Sequence, residues 1–406
     1  MGNDVFEKHI IDEDSEIASL IKDGLMDTYF SLYNKDHFNS DIGKHEIAEN
    51  VFLRYNQALR HILPWVSKHI DLKTAKVIEI GCGTGCSTAA FAHIVDKIDG
   101  YDIHEPAILG AQKRMEVFGF KNCAIYLIKA ENLIMNLLKN NSNGADVILL
   151  YAVLEHMTPD ECINTIKTCW RLLRPKGLLV VVETPNRLTY SDKHTSLLPF
   201  FQMLPYDLCL KYYHNSPRDV FVKSMERNIT NKNIKDATLR LNRWGRGVSY
   251  HEFEIALGDA YKNNLVAQGF ENEILSWFAV TKEEELLKLF VEGLQLEIPI
   301  GFTREWLNLI YKKSNSTNED YKIPEIHYST GLNIDSIREN YELKLKEKEI
   351  LIESKKDEMR EKDRIINSLL RDKELIYSSW SYRIGNYLLQ PFRFIHSSLQ
   401  QGKMVK

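Results

Sequence analysis

The sequence predicts an α/β fold with a doubly wound, mostly parallel sheet, an inserted cap and, after the sheet domain, a long helix. Short apolar runs alternate with stretches of helical spacing over residues 76–183, which is typical of parallel strands joined by helices. The alternation stops at residue 186, where a segment rich in aromatic, charged and Asn residues continues to residue 262. Residues 338–374 contain no Gly or Pro and are dominated by charged residues, which indicates one long helix.

Each element rests on the spacing of its apolar residues. Residues 1–69 form an N-terminal segment in which residues 45–63 carry apolar groups at helical spacing. In the sheet domain, 70–312, strands are predicted at 76–80, 98–103, 124–128, 146–150, 178–183, 272–277 and 306–312, and helices at 87–94, 107–118, 159–173 and 282–296. The segment 186–262 is predicted to cap the carboxyl ends of the strands, where open α/β sheets bind ligands.

The C-terminal third divides into three parts. Residues 313–332 are predicted to be a linker, 333–378 a long charged helix or coiled coil, and 379–406 a basic aromatic tail. The helix repeats a charged unit, and four of its apolar residues lie seven apart: Leu345, Ile352, Met359 and Ile366. Because the other seam position is often Lys or Glu, an oligomeric coiled coil and a solvated single helix both remain open.

The tail has no acidic residue after Glu374 and mixes basic with aromatic side chains. That composition suits a membrane–water interface, and it equally suits packing against a protein partner or the main domain. Both alternatives stay open at this point.

The composition narrows the class of protein. Of the 406 residues, 44% are hydrophobic and 27% charged, and the net charge is −4, which fits a soluble globular protein and argues against a nucleic-acid partner. The six cysteines form no CxxC pair, and the acidic N-terminus lacks the apolar core of a signal peptide. We therefore expect a cytoplasmic protein. If it binds the inner face of the membrane, we expect the tail to form that contact.

A glycine cluster follows the first predicted strand. Gly81, Gly83 and Gly85 have the spacing GxGxG, between an apolar strand and a helix, and this differs from the GxGxxG of dinucleotide-binding enzymes. Glycines allow a sharp turn and a close approach of the backbone to a ligand. Glu79, just before the loop, would repel a pyrophosphate but pair with an ammonium group. The next strand ends at Asp102, whose carboxylate can accept both ribose hydroxyls of an adenosine.

These residues resemble the class I S-adenosylmethionine-dependent methyltransferases, well over residues 70–190 and loosely to 312. Further matches are Ala130-Glu131 after the third strand, the run from Asp146 to His156, and Leu173-Arg-Pro-Lys-Gly177. The resemblance implies a Rossmann-like fold with S-adenosyl-L-methionine as cofactor. By that resemblance the cofactor-binding residues are Glu79, Gly81, Gly83 and Gly85 for the methionine part, Asp102 and Ile103 for the ribose, Ala130 and Glu131 for the adenine, and Tyr151 at the end of the fourth strand.

Two departures from the family pattern affect the site. Many relatives carry Asp where Lys129 stands, so the adenine contact falls to Glu131 or to the backbone. Ubiquinone-pathway O-methyltransferases carry a Glu three residues before a Glu-His pair, which completes a metal triad. Here Ala152 occupies that place before Glu155 and His156, so no metal is expected.

Methyl transfer is an in-line displacement, and a hydroxyl nucleophile benefits from a general base. The predicted base is His194, after the fifth strand, with Asp192 orienting it; the alternative is that His194 only braces its loop. Weaker candidates are His251 and Glu252 as catalytic groups, and Arg218 or Arg246 for an anionic part of the acceptor.

The acceptor is inferred from resemblance alone. The run from Thr184 to Pro205 resembles methyltransferases of bacterial surface-glycan pathways, and the layout resembles O-antigen chain terminators. We expect O-methylation of a sugar or sugar-linked group on a lipid-linked glycan, with a small-molecule or quinone-type acceptor as the alternative. A third alternative is a non-catalytic scaffold that recruits glycan enzymes, and the intact glycine loop argues against it.

Overall fold

The fold is described from a computed structural model of the full chain, for residues 4–229, 234–314, 334–379, 383–385 and 387. The chain divides into two compact units, residues 1–329 and 330–406. Most of the predicted linker and nearly all of the predicted basic tail lie outside the described residues.

Within the described ranges, seven strands form a single sheet in the order β3-β2-β1-β4-β5-β7-β6. Strands β1 to β5 are parallel, while β7 runs antiparallel between β5 and β6. This architecture confirms the predicted doubly wound, mostly parallel sheet. The strands are β1 Lys76–Ile80, β2 Lys97–Asp102, β3 Cys123–Leu127, β4 Ala145–Tyr151, β5 Leu173–Pro185, β6 Leu265–Ala267 and β7 Trp306–Lys312.

Helices cover both faces of the sheet. Those of the first unit are α1 Asp4–Glu7, α2 Glu16–Asp27, α3 Asp41–Ala48, α4 Arg54–Gln57, α5 Leu63–Ser67, α6 Cys86–Ala92, α7 Glu105–Phe118, α8 Leu133–Asn140, α9 Pro159–Leu172, α10 Tyr206–Tyr212, α11 Asp219–Ile229, α12 Ile234–Gly245, α13 Tyr250–Leu257, α14 Ala260–Asn263, α15 Asn272–Leu275 and α16 Lys282–Gly293. Two π-helical turns, Glu49–Leu53 and Ala58–Ile62, join α3, α4 and α5 into the helical stretch predicted for residues 45–63.

A hydrophobic core lies on each face of the sheet, because successive residues of the central strands point to opposite faces. Val77 and Val147 face one layer of helices, while Ile78 and Ile148 face the other. All four are fully buried, as are most apolar residues of β4 and β5. The sheet is therefore covered by helices on both of its faces.

One predicted strand is wrong. Within the predicted strand 272–277, the first four residues form the short helix α15. The sheet edge is formed instead by Leu265–Ala267, which pairs with β7. The apolar run after Glu273 packs on the N-terminal helical stretch, where the rings of His61 and Trp277 stack at 5.5 Å. That tertiary contact outweighs the strand-like composition.

The chain between β5 and β6 contains helices α10 to α14. Part of it has a small core of its own, made by Phe201, Cys209, Phe221, Met225 and Leu241. Helix α13 continues onto the main domain, where Phe253 joins the core of one sheet face. The segment predicted as a cap thus combines a local core with an anchor on the sheet domain.

The second unit contains helix α17, Ile334–Ser378, of 45 residues. At 1.5 Å per residue it spans roughly 70 Å. Charged pairs one turn apart stabilise it, including Lys362 with Glu358 and Arg360 with Asp357. Ile352, Met359 and Ile366 are all exposed. The predicted long helix is present, while its pairing into a coiled coil stays a prediction. Among the described residues no helix is long and apolar enough to cross a bilayer.

Candidate active site

The glycine loop connects β1 to α6 at the carboxyl edge of the sheet. Gly81 has φ of 77°, and a Cβ there would lie 2.4 Å from the side chain of Val153, so a larger residue would not fit. Gly83 has φ of 51°, and a Cβ there would meet no described atom within 4 Å. The loop therefore turns tightly against the protein at Gly81 and borders open space at Gly83.

Asp102 lies beside this loop, as predicted. One of its carboxylate oxygens accepts a hydrogen bond from the Gly83 amide at 2.8 Å, and the other accepts one from the His104 amide at 2.8 Å. The parallel pairing of β1 with β2 brings the two strand ends together. An acidic group consequently borders the open side of the glycine loop.

Glu79 lies under the loop rather than exposed to a ligand. Its carboxyl group is fully buried and accepts hydrogen bonds from the hydroxyls of Ser87 and Thr88 in α6. Burial raises the pKa of Glu79 to about 7, although these two hydroxyls oppose the rise. Glu79 thus joins α6 to β1, and its contact with the methionine part of a cofactor stays a prediction.

The predicted ribose and adenine residues lie on the neighbouring strands. Ile103 is 52% exposed after β2, and Ala130 and Glu131 begin a short turn after β3. Leu127, the register partner of Asp102 on β3, is 50% exposed and was missed by sequence reasoning. Apolar side chains left exposed at adjacent strand ends form a surface on which an adenine ring could lie.

Tyr151 ends β4 and is almost fully buried. The guanidinium of Arg54 lies 5.7 Å from the centre of its ring, and Arg54 also pairs with Glu49 at 3.0 Å. Sequence reasoning did not single out Arg54, because nothing in the N-terminal helical pattern shows that it reaches the sheet. The structure therefore places a cation from the N-terminal segment at the end of β4.

The ends of β4 and β5 have an unusual backbone. Ala152 and Glu183 have φ of 48° and 51°, a region that side chains other than glycine rarely adopt. Burial raises the pKa of Glu183, and the nearby Arg54 opposes this. Such backbone geometry persists where surrounding contacts enforce it and is common at functional sites.

His194 lines a small cleft together with Asn186, Lys193, Glu305 and Trp306. The His194 ring packs against Gly245 at the end of α12, where an added Cβ would approach it to 2.5 Å. Its Nδ1 lies 3.1 Å from the Thr195 hydroxyl. Burial lowers the pKa of His194 to about 3, with His156 contributing.

Asp192 does not orient the ring of His194, which corrects the prediction. Its carboxylate accepts hydrogen bonds from the backbone amides of His194, Thr195 and Ser196, and from the side chains of Ser196 and Gln202. Asp192 is 3% exposed and all of these bonds brace the turn of the loop. It positions the backbone of His194 rather than its imidazole.

The weaker candidates are occupied by structural contacts. Arg246 is buried and donates to the carbonyls of Gln202 and Leu204, while Arg218 donates to the carbonyl of His194. Glu252 pairs with Arg187 and caps α13. His251 contacts the hydroxyl of Ser249. Because these groups already have partners inside the fold, an anionic acceptor group would have to displace those contacts.

Glu155 and His156 follow β4 and lie next to His194. The rings of His156 and His194 are 5.3 Å apart, and Nε2 of His156 lies 3.7 Å from a carboxylate oxygen of Glu155. Burial raises the pKa of Glu155 to about 8. The structure thus brings together a Glu-His pair and a loop histidine that are distant in the chain.

The central part of the chain is similar to a known protein family. Residues 78–179 match a protein family described as a methyltransferase domain. This segment is similar to that methyltransferase domain. It contains the glycine loop, Asp102, Tyr151, Glu155 and His156, whereas the cap and α17 lie outside the match.

Curated relatives match less than a third of the chain. A ubiquinone biosynthesis O-methyltransferase of Thiobacillus denitrificans is 30% identical over 31% of this chain and 50% of its own length. One of Pseudomonas fluorescens is 30% identical over 30% of this chain and 50% of its own length. The chain thus spans about half the length of the curated relatives it matches.

A distant similarity exists among solved structures. The magnesium protoporphyrin IX methyltransferase of Synechocystis PCC 6803 is 18% identical, over 44% of this chain and 80% of that chain, with a TM-score of 0.30. A similarity at this level does not indicate an acceptor.

Proposed function

We propose that this protein is an S-adenosyl-L-methionine-dependent methyltransferase. The observation that carries the proposal is the contact between Asp102 and the amide of Gly83. It joins an acid suited to the ribose hydroxyls with a glycine loop that borders open space, inside a segment matching a methyltransferase domain. Ile103 and Leu127 would contact the adenine, and Arg54 is a cation near the site that could pair with the methionine carboxylate.

The cofactor would supply an activated methyl group, and this chain would hold the acceptor atom in line with it. In-line displacement needs the acceptor atom about 3–3.5 Å from the methyl carbon, so binding geometry provides much of the rate. His194 faces the cleft, but a base with a pKa of about 3 takes a proton weakly at neutral pH. The predicted general-base role of His194 therefore needs help from a second group.

The acceptor that best fits the comparisons is a small molecule methylated on oxygen. The support is the similarity to ubiquinone biosynthesis O-methyltransferases, which methylate oxygen. The glycan acceptor expected from the sequence receives no support from these relatives. One assay can detect methylation of either class of acceptor, because S-adenosylhomocysteine is released in both reactions.

Calorimetry with S-adenosylmethionine tests the cofactor site directly. We expect a dissociation constant in the low-micromolar range, about 8 kcal/mol of binding free energy. Asp102→Ala should weaken binding about tenfold or more, since it removes the charge-assisted bonds to the ribose. The control is Asp23→Ala, an exposed acid on α2. Equal affinity of both variants and the parent protein would contradict the assignment.

A panel of acceptors tests the second part of the proposal. Catechol-type phenols and lipid-linked oligosaccharides are offered with labelled S-adenosylmethionine, and label transfer is followed by mass spectrometry. Transfer to phenols alone supports the small-molecule acceptor. Transfer to the oligosaccharide alone supports the glycan acceptor predicted from the sequence. A failure to bind S-adenosylmethionine, together with no transfer to any acceptor, would favour the scaffold alternative.

A further inference from the structure

Three potential metal-binding side chains meet between the end of β4 and the cap. Glu155, His156 and His194 each offer one ligand atom, and these atoms lie within 4.8 Å of one another. Atoms that bind one ion at 2.0–2.2 Å stand about 3–3.5 Å apart, so small rotations of the side chains would close the group around an ion.

Both histidines present the same free nitrogen. Nδ1 of His156 lies 3.0 Å from the backbone carbonyl of Arg243, and a carbonyl can only accept, so this nitrogen carries the proton. The Thr195 hydroxyl donates to the Gly245 carbonyl, and it therefore accepts from Nδ1 of His194. Each Nε2 consequently keeps its lone pair, and a second-shell bond to Nδ1 is the usual arrangement of metal-binding histidines.

Glu155 lacks compensation for its burial. Its side chain is 1% exposed, and neither carboxylate oxygen has a hydrogen-bond partner among the residues that the structure describes. An unpaired carboxylate in such a place is costly unless it is protonated or bound to a cation. Burial, together with Glu183, holds the pKa of Glu155 above its ordinary value, whereas Arg54 favours the charged form of Glu155.

The end of α12 holds all three residues in place. The Arg246 amide donates to the carbonyl of Glu155 at 2.8 Å, the carbonyl of Arg243 accepts from His156, and Gly245 leaves room for the His194 ring. Arg243 also forms two bonds of 2.7 Å with Glu161 in α9, which ties α12 to the sheet domain. The donor set is thus built on a braced frame.

We propose that Glu155, His156 and His194 bind a divalent transition-metal ion, with Zn²⁺ or Mn²⁺ as the favoured class. Two imidazole nitrogens and one carboxylate select such ions over Mg²⁺ and Ca²⁺, and three protein ligands leave a position open. The sequence predicts no metal here, because Ala152 stands where ubiquinone-pathway O-methyltransferases carry the third ligand. The fold supplies His194 in that role.

The site has a use that rests on the proposed function. An acceptor hydroxyl bound at the open position would lose its proton more readily, because the ion stabilises the oxygen anion. The proton would leave to solvent or buffer, and the oxygen would then attack the methyl carbon. A C–O bond would form while the C–S bond breaks, and S-adenosylhomocysteine would leave with the electron pair of that bond. His194 would serve as a ligand through Nε2, because its Nδ1 is bonded to the Thr195 hydroxyl.

Equilibrium dialysis of the full chain against Zn²⁺ or Mn²⁺, followed by elemental analysis, tests the site without any assay of activity. We expect close to one ion per chain, and Co²⁺ should give visible absorption bands that report the nitrogen and oxygen ligands. Glu155→Gln and His194→Ala should each weaken binding about tenfold or more. The matched control is His214→Ala, an exposed histidine of the same cap, which should bind like the parent protein.

The outcomes separate this proposal from the proposed function. Absence of a stoichiometric ion, or equal retention by the parent protein and both variants, overturns the metal site. Calorimetry with S-adenosylmethionine on the same samples shows whether the variants fold and whether the cofactor site stands. Metal binding without cofactor binding would overturn the methyltransferase proposal and leave the metal site intact. If Glu155→Gln does not fold, His194→Ala decides the matter.

Discussion

His156 and Arg243 bond to each other's backbone. The imidazole of His156 donates to the carbonyl of Arg243 at 3.0 Å, and the guanidinium of Arg243 donates to the carbonyl of His156 at 2.7 Å. The same guanidinium binds Glu161 on α9 through two bonds. This reciprocal pair joins the cap to the loop after β4, where the cofactor and acceptor would meet.

Arg243→Ala should loosen the cap while leaving the cofactor site intact. We expect turnover to fall about tenfold or more, because small displacements of positioning groups are costly for transfer reactions. The affinity for S-adenosylmethionine should change little, since Arg243 is distant from the glycine loop in the chain and lies on the cap. Calorimetry and initial rates give the two quantities.

The matched control for Arg243 is Arg240→Ala, on the same helix. Arg240 is exposed and bonds to Ser224 within the cap. Equal loss of turnover in both variants would show that the helix responds to any truncation, and the specific role of the His156 pair would then be wrong.

Glu79 should make stability depend on pH. Its pKa is raised from 4.5 to about 7 in the folded protein, so the folded state holds a proton that the unfolded state releases between these values. The stabilisation is fully present below the unfolded pKa and is lost as pH rises through the folded one. The upper limit of that loss is about 3 kcal/mol.

Glu79→Gln removes this titration. The difference in unfolding free energy, parent minus variant, should be larger at pH 5 than at pH 8, and denaturant unfolding at the two values measures it. Other titrating groups occur in both proteins and cancel in the difference. A difference that does not change between pH 5 and 8 would contradict the buried, proton-holding Glu79.

Helix α17 should associate with a second copy if its seam is used. Ile352, Met359 and Ile366 are seven apart and exposed, so pairing would bury all three. Replacing these three residues with Lys should lower the mass measured by light scattering. As a control, replacing the exposed charged residues Lys355, Glu358 and Lys362 with Ala should leave that mass unchanged. A monomeric parent protein would indicate the solvated single helix.

The basic tail predicts reversible binding to anionic vesicles. Each basic residue near such a surface contributes about 1 kcal/mol, and four occur after residue 379 together with aromatic residues. In a flotation assay the full chain should rise with vesicles rich in phosphatidylglycerol, and a chain ending at residue 378 should not. Equal behaviour of both chains would leave packing against a protein as the remaining role.

Sequence reasoning reached the features that depend on neighbours in the chain. The strand before Gly81, the helix after Gly85 and the acid at the end of β2 follow from local spacing, and the structure has each of them. It failed at residues 272–277, where an apolar run packs as α15 because the N-terminal helical stretch covers it.

What the sequence by itself determined was the sheet, the glycine loop and Asp102 beside it, since parallel strands in succession must bring their carboxyl ends to one edge. Only the tertiary structure decided that Glu79 bonds to α6, that Asp192 braces a turn, and that His194 meets Glu155 and His156. The Glu79 and Asp192 contacts are short in the chain, whereas the meeting of His194 with Glu155 and His156 joins distant segments through the packing of α12 on the sheet domain. Spacing along the chain carries no information about such contacts, because they depend on which buried polar groups find partners once the helices are packed.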